Sequence, residues 1–217
     1  MKKALLLYNP KSGKGAIEKN IASIVEIFKE CDYELIPTII NFNENPFEKQ
    51  RDWDLVVVAG GDGTVNFAVN CMKSLSLDLK LGVIPAGTAN DFAFAIGMSK
   101  DVLEAARQIA SGEESAIDCG HVNNLYFVNI FSFGIFTTTS QRTPDERKHR
   151  IGKLAYLIEG VKEFWSMHGV PLKVKADGEE FSLNSLIVLV FNGESAGGFH
   201  LARRSSLKDG KFEVLML

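Results

Sequence analysis

The sequence predicts an α/β domain built on a parallel sheet, followed by a second half that is mainly β. Three observations carry this expectation. The apolar runs Ala4–Tyr8, Leu55–Val58 and Leu81–Ile84 are continuous rather than alternating, as strands covered on both faces require. Stretches of helical period separate them, and strands alternating with helices build parallel sheets. Beyond about Ser115 the alternation stops, and short β-rich runs divided by turn residues take over. The boundary is expected near 115–120, which makes residues 1–117 the α/β domain and residues 118–217 the β domain.

Taken in order, Ala4–Tyr8 is a strand because its apolar run stops at Asn9-Pro10, a turn signal. Ala16–Lys29 places Ile17, Ile21, Ile24, Val25 and Phe28 on one helical face. Glu34–Ile40 is β-branched and predicts the second strand, and polar Pro46–Asp52 a short helix or loop. Asp54–Ala59 holds the third strand, Thr64–Ser74 a helix, and Leu81–Ile84 the fourth strand. Ala89–Ile96 and Val102–Ala110 are helical in pattern. In the second half, Ala116–His121, Tyr126–Phe133, Pro171–Ala176, Phe181–Phe191 and Lys211–Leu217 predict strands. Asp177-Gly178 marks a hairpin turn, Thr137–Arg150 is polar, and Leu154–Trp165 predicts one helix.

Composition narrows the class. Hydrophobic residues make up 46% of 217 and charged residues 24%, the mixture of a globular chain that can bury a core. A net charge of −3 gives no global reason for nucleic-acid binding. Cys31, Cys71 and Cys119 are far apart and odd in number, so free thiols in a reducing cytosol are expected rather than disulfides or a zinc site. The apolar start ends at Tyr8, too short for a signal core, and no run reaches the ~20 residues of a spanning helix. Any lipid would then be met from outside, at the bilayer surface.

Three loops follow three strands of the first half, where ligands of open parallel sheets bind. Asn9-Pro10-Lys11-Ser12-Gly13-Lys14-Gly15 combines glycines, lysines and a helix start, all suited to an anion, though a plain turn with a capping serine needs the same residues. Gly60-Gly61-Asp62-Gly63-Thr64 has three glycines in four residues, a surface on which a polyphosphate can lie against amides. Asp62 is placed to orient a magnesium ion that travels with the nucleotide. Asn66 stands where the third glycine of a dinucleotide fingerprint would be, which argues against an oxidoreductase. Pro85-Ala86-Gly87-Thr88-Ala89-Asn90-Asp91-Phe92 places small hydrogen-bonding residues beside a glycine, to grip a nucleotide or to cap the next helix.

Gly60-Gly61-Asp62-Gly63-Thr64 resembles the signature of a superfamily containing diacylglycerol kinases, sphingosine kinases, NAD kinases and 6-phosphofructokinases. Asn9-Pro10-x-Ser12-Gly13 and Pro85-x-Gly87-Thr88-x-Asn90-Asp91-Phe92 narrow the resemblance to bacterial soluble diacylglycerol-kinase-like lipid kinases, along the whole chain. The resemblance implies an α/β nucleotide-binding domain followed by a β-sandwich domain, with ATP and Mg2+ as cofactors. It implies nucleotide contacts from Asn9, Pro10, Lys11, Ser12, Gly13, Thr38, Gly60, Gly61, Asp62, Gly63, Thr64, Asn66, Gly87, Thr88 and Asn90. Asp62 and Asp91 are the candidates for organising metal and acceptor. A structural magnesium is implied at the turn Ser206-Leu207-Lys208-Asp209-Gly210, held by Asp209 and the carbonyls near Ser206 and Lys211.

The family's proposed general base is an acidic residue in a C-terminal segment, expected beyond Leu217; a strand running to the final residue suggests a chain cut or naturally short. Asp177-Gly178-Glu179 looks like that motif but sits at an earlier surface turn. The expected reaction is transfer of the γ-phosphate of ATP to the hydroxyl of a diacylglycerol-like lipid. An NAD kinase-like enzyme and a non-catalytic nucleotide-binding regulatory domain are the alternatives. Phe92, Phe94, Ile96, Phe131, Phe133 and Phe136 could line an acyl channel or fill the core. The basic run Arg142, Arg147, Lys148, His149, Arg150 and Lys153 suits anionic headgroups or a solvated face. The expected location is cytoplasmic with transient, peripheral membrane contact. Oligomeric state is open, a homodimer included.

Overall fold

Four parallel strands in the order β2-β1-β3-β4 make the first sheet: β1 (Lys2–Tyr8), β2 (Tyr33–Ile39), β3 (Leu55–Gly60) and β4 (Leu81–Pro85). The structure is a computed structural model that describes residues 1–134 and 169–217, the side chains of Lys14 and Ala196 excepted. Helix α1 (Ala16–Glu30) links β1 to β2, and α2 (Asp62–Ser74) links β3 to β4. The short α3 (Asp91–Ala95) and α4 (Val102–Ser111) follow.

Both crossovers share the hand that parallel strands impose, but they run in opposite directions from the centre of the sheet. Their helices therefore cover opposite faces. On one face Ile17, Ile24 and Phe28 of α1, with Ala105 and Ala106 of α4, pack on Ala4, Leu6 and Val57. On the other, Val65, Ala68 and Val69 of α2, with Phe92 of α3, pack on Leu5, Leu7, Val56 and Val58. The unbroken apolar runs are explained: neighbouring residues of one strand enter different cores. The point where the strand order reverses lies between β1 and β3, and the loops leaving those two strands flank the crevice there.

Pro46–Asp52 forms no regular element. Asn45 organises that loop, accepting the Phe47 N–H at 2.9 Å and donating to the Cys71 carbonyl at 2.9 Å, while Phe47 and Trp53 are buried. The cysteines are free; Cys71 is buried and Cys31 and Cys119 half-buried. Burial pushes the Cys71 and Cys119 thiols up.

The second half is β-rich. It contains β5 (Gly120–Val122), β6 (Leu125–Phe127), β7 (Ile130–Gly134), β8 (Val170–Ala176), β9 (Glu179–Ser185) and β10 (Ile187–Phe191). Then come β11 (Ser195–Ala196), β12 (Phe199–His200) and β13 (Glu213–Met216). Two compact units result. One comprises Met1–Asn129 with Asn192–Lys211; the other comprises Ile130–Phe191 with Phe212–Leu217.

In the first unit the β5–β6 hairpin is tied to α2 by Asn70, whose side chain accepts the Tyr126 N–H at 2.8 Å and donates to the Tyr126 carbonyl at 2.9 Å. Leu207 enters the same core as Val65 and Phe92, so the returning segment is a true part of this unit. In the second unit β7 and β13 flank β10 in an antiparallel sheet, and β8 and β9 form a hairpin. Asp177 and Gly178, at φ 51° and 88°, close that hairpin between the paired Ala176 and Glu179, the surface turn expected of them.

Several strands are shorter than the sequence suggests. Ala116–His121 is extended only from Gly120. Tyr126–Phe133 breaks at Val128-Asn129, because the Asn129 carbonyl turns to accept the N–H groups of Asn192 (2.7 Å) and Gly193 (3.2 Å). Phe181–Phe191 breaks at Leu186, where the chain changes partners: β9 pairs with β8, β10 with β7 and β13. Phe136, the stretch Thr137–Arg150 with its basic run to Lys153, and the helix expected at Leu154–Trp165 lie outside the described residues.

Candidate functional site

Asn9 shapes the first loop. Its Oδ1 accepts the Lys11 N–H at 3.0 Å and its carbonyl accepts the Ser12 N–H at 2.9 Å, which leads into one 3-10 turn at Ser12–Gly15. No side chain caps α1, so the capping-serine reading of this loop does not hold. Pro10 and Ser12 are half-buried; Lys11 is exposed.

The second loop turns straight from β3 into α2. Gly60 lies directly under Thr64, whose side chain would stand 2.6 Å from a Cβ there. Thr64 is consequently buried, and Gly63 faces open space. The first turn of α2 has no side-chain cap, which leaves amides at the positive end of a 13-residue helix available to an anion. Asp62 is half-buried, and its Oδ1 accepts the Phe92 N–H at 3.0 Å. The second loop thereby caps α3, a helix begun by the third loop. Among the described residues the other Asp62 oxygen has no hydrogen-bond partner.

The third loop follows β4 and folds back towards β1. Asn90 adopts the left-handed conformation (φ 54°, ψ 37°) that asparagine tolerates. Its buried side chain accepts the Gly87 N–H at 2.7 Å and donates to the Gly87 carbonyl at 2.9 Å. Asn90 therefore sets the loop's shape, and it presents Gly87 and Thr88 as exposed residues.

Sequence distance hides how closely the three loops meet. The Ala86 N–H donates to the Gly60 carbonyl at 3.0 Å. A Cβ on Gly61 would lie 3.1 Å from the Gly87 Cα, and one on Gly87 would lie 2.8 Å from the Asn90 Oδ1 and collide with the Gly61 backbone. A Cβ on Gly13 would lie 3.6 Å from that of Ala86. Gly87 has no room for a Cβ, and one on Gly61 would fit only if the facing backbone shifted. Gly87→Ala is expected to cost about 2 kcal/mol of stability, as overpacking of a tight contact does. Thermal unfolding measures this; an unchanged Tm would mean the two loops part without resistance.

Asp91, 5% exposed, sits at the start of α3. Its Oδ1 accepts the Ser195 hydroxyl at 2.9 Å and the Gly198 N–H at 3.0 Å, so the carboxylate clasps the hairpin of β11 and β12. Thr38 is half-buried near the end of edge strand β2, in register with Leu7. Asn66 is half-buried on α2, and its carbonyl accepts the Asn70 amide at 2.8 Å. Phe92 is core, Phe94 is exposed, and Ile96 packs against the α2 core. Phe131 and Phe133 share a face of β7, their ring centroids 5.9 Å apart.

Ser206, Asp209 and Lys211 are exposed on one turn. Asp209 Oδ1 accepts the Lys211 N–H at 3.1 Å. A residue absent from the sequence reading, Asp118, reaches the same turn: its Oδ2 accepts the Gly210 N–H at 2.7 Å, and its own N–H donates to the Leu207 carbonyl at 2.7 Å. Its main chain is held in turn by buried Asn192, whose amide donates to the Asp118 carbonyl at 2.8 Å. Two carboxylates around one turn make an oxygen-only donor set, which suits a hard divalent cation. Among the described residues no three His, Cys, Asp or Glu side chains gather to hold a metal. A cation at that turn or beside Asp62 would take its remaining ligands from carbonyls, phosphate or water, as magnesium commonly does.

An open parallel sheet with glycine-containing loops gathered at its switch point is a ligand-binding architecture, and comparison with known proteins supplies the class. Residues 3–122 match the family model described as the diacylglycerol kinase catalytic domain, and residues 129–217 match the YegS C-terminal NAD kinase beta sandwich-like domain. The chain belongs to the diacylglycerol kinase family of lipid kinases. It is 37% identical over 224 residues to the diacylglycerol kinase of Bacillus subtilis (strain 168), covering 100% of this chain and 74% of that protein. It is 32% identical over 222 residues to the diacylglycerol kinase of Staphylococcus aureus (strain JH9), covering 100% and 70%. A crystal structure of a diacylglycerol kinase from Bacillus anthracis str. Sterne superimposes with a TM-score of 0.75 at 27% identity, covering 100% of this chain and 73% of that one.

Proposed function

We propose that the chain is an ATP-dependent kinase that transfers the γ-phosphate to the hydroxyl of a diacylglycerol-like lipid, with Mg2+ as its cofactor. The observation that carries this reading is the convergence of the loops at Gly13, Gly61 and Gly87 beyond the strand ends, with the free oxygen of Asp62 beside them. Phosphoryl transfer asks a protein mainly for alignment and for neutralisation of charge. Amides of Gly61 and Gly63 and the Thr88 side chain would hold the triphosphate. Asp62, fixed through its bond to the Phe92 N–H, would orient the ion, and Asp91 would act by keeping Ser195–Gly198 against α3. Bound Mg2+ would supply charge neutralisation on the phosphate oxygens. The turn carrying Asp209 and Asp118 is the proposed place for a second, structural ion.

The acceptor is expected to be met at the bilayer surface. Among the described residues no helix is long and apolar enough to cross a membrane. Radiolabelled ATP incubated with the protein, a total lipid extract and added NAD tests the proposal. Label is expected in the organic phase. Label in NAD instead would point to an NAD kinase-like enzyme, and ATP binding with no transfer to lipid or NAD would point to a regulatory domain.

A further inference from the structure

Beside the three loops, on the face covered by α1 and α4, lies a cavity of about 420 Å3, a size suited to one small ligand. Gly13, Ala16, Gly87, Thr88 and Phe94 contribute to its wall, and among the described side chains Lys100 is the charged one there. None of the family-type motifs contains Lys100. It stands in the polar turn ahead of α4, and that turn is pinned: Ser99 N–H donates to the Gln108 side chain at 2.8 Å, and Asp101 N–H to the Ser99 hydroxyl at 3.1 Å.

The surroundings leave the Lys100 charge uncompensated. Its Nζ lies 5.4 Å from the centre of the Phe94 ring, which directs the side chain without neutralising it. Among the described residues it pairs with no carboxylate. Asp101, its neighbour, is committed to capping α4 through the Glu104 N–H at 2.9 Å, and Glu104 pairs with Arg107 at 3.2 Å. The start of the 15-residue α1, uncapped by any side chain, adds partial positive charge to the same wall at Ala16. A cation held over bare backbone matches an anion in charge and in shape, and the exposed Phe94 ring on the same wall is already faced by the Lys100 ammonium group.

We propose that Lys100 is a nucleotide-binding residue that grips the phosphate tail of the donor from the α4 side of the site. The assignment rests on the reading of the chain as a nucleotide-dependent kinase and adds a phosphate contact to it. The position sets what the residue can distinguish: nucleotides with a longer phosphate tail gain from it, while the base and ribose do not.

Binding of adenosine, AMP, ADP, ATP and inorganic tripolyphosphate to the wild-type protein and to Lys100→Ala and Lys100→Arg, followed by calorimetry, tests this. Loss of one charge-assisted contact predicts that Lys100→Ala binds ATP and tripolyphosphate about tenfold more weakly. Adenosine affinity should not change, and Lys100→Arg should recover most of the loss. Equal weakening of adenosine and ATP, or an unchanged ATP affinity in Lys100→Ala, overturns the assignment while the kinase reading stands. A wild-type protein that binds neither ATP nor ADP overturns both together.

Discussion

Asp62→Asn is expected to lower lipid phosphorylation by about a hundredfold or more, the scale on which removal of a single electrostatic contact to a reacting group acts. The fold should survive. Asn keeps an oxygen in the place of Oδ1, so the 3.0 Å bond to the Phe92 N–H and the cap of α3 can persist, and Tm should move by no more than about 2 °C. What is lost is the charge on the second oxygen. Asp62→Ala is the harsher and less informative change, because it removes the cap and the charge together. Radiolabel transfer to lipid, read beside a thermal melt, separates the two effects. Full activity in folded Asp62→Asn would strip Asp62 of its role in the reaction.

Asp91→Ala is expected to destabilise the first unit by about 3 kcal/mol, because it orphans a hydroxyl and an N–H that both donate to one buried carboxylate. For a chain of this length that corresponds to a fall in Tm of roughly 6–12 °C. Asp91→Asn should cost less, since one acceptor oxygen remains for Ser195 and Gly198. The two variants together divide stability from chemistry. If both lose activity while neither loses stability, Asp91 acts on the reactants and not through the Ser195–Gly198 hairpin.

These residues show where local sequence stops being informative. Strands β1, β3 and β4 are readable because each is a short apolar run ended by a turn residue, β2 because of its β-branched residues, and the helices because one face repeats. The hairpin at Asp177-Gly178 was readable because left-handed backbone selects those residues. The three loops could be placed at one sheet edge from chain order alone. Their internal wiring could not. Asp62 caps a helix 30 residues away, and Asp91 holds a serine 104 residues away. No periodicity encodes such pairs. Asp118 meets the turn at Gly210 only because the chain comes back to the first unit at Asn192. Lys100 carries no local signal at all; a lysine in a polar turn resembles any solvated one. The break at Asn129 has the same cause, since its carbonyl is drawn away by N–H groups 63 and 64 residues downstream (192 − 129 and 193 − 129).

The return of residues 192–211 to the first unit also bears on how the molecule is made. A ribosome releases the sheet, α1 and α2 early, but the Ser195 hydroxyl and Leu207 are made only 66 and 78 residues after Asn129 (195 − 129 and 207 − 129). Until then Asp91 faces solvent without its partners and the Phe92 core lacks part of its cover. The nascent chain therefore holds an assembled scaffold whose loop cluster is unfinished, a stage at which holdase chaperones have the most to shield.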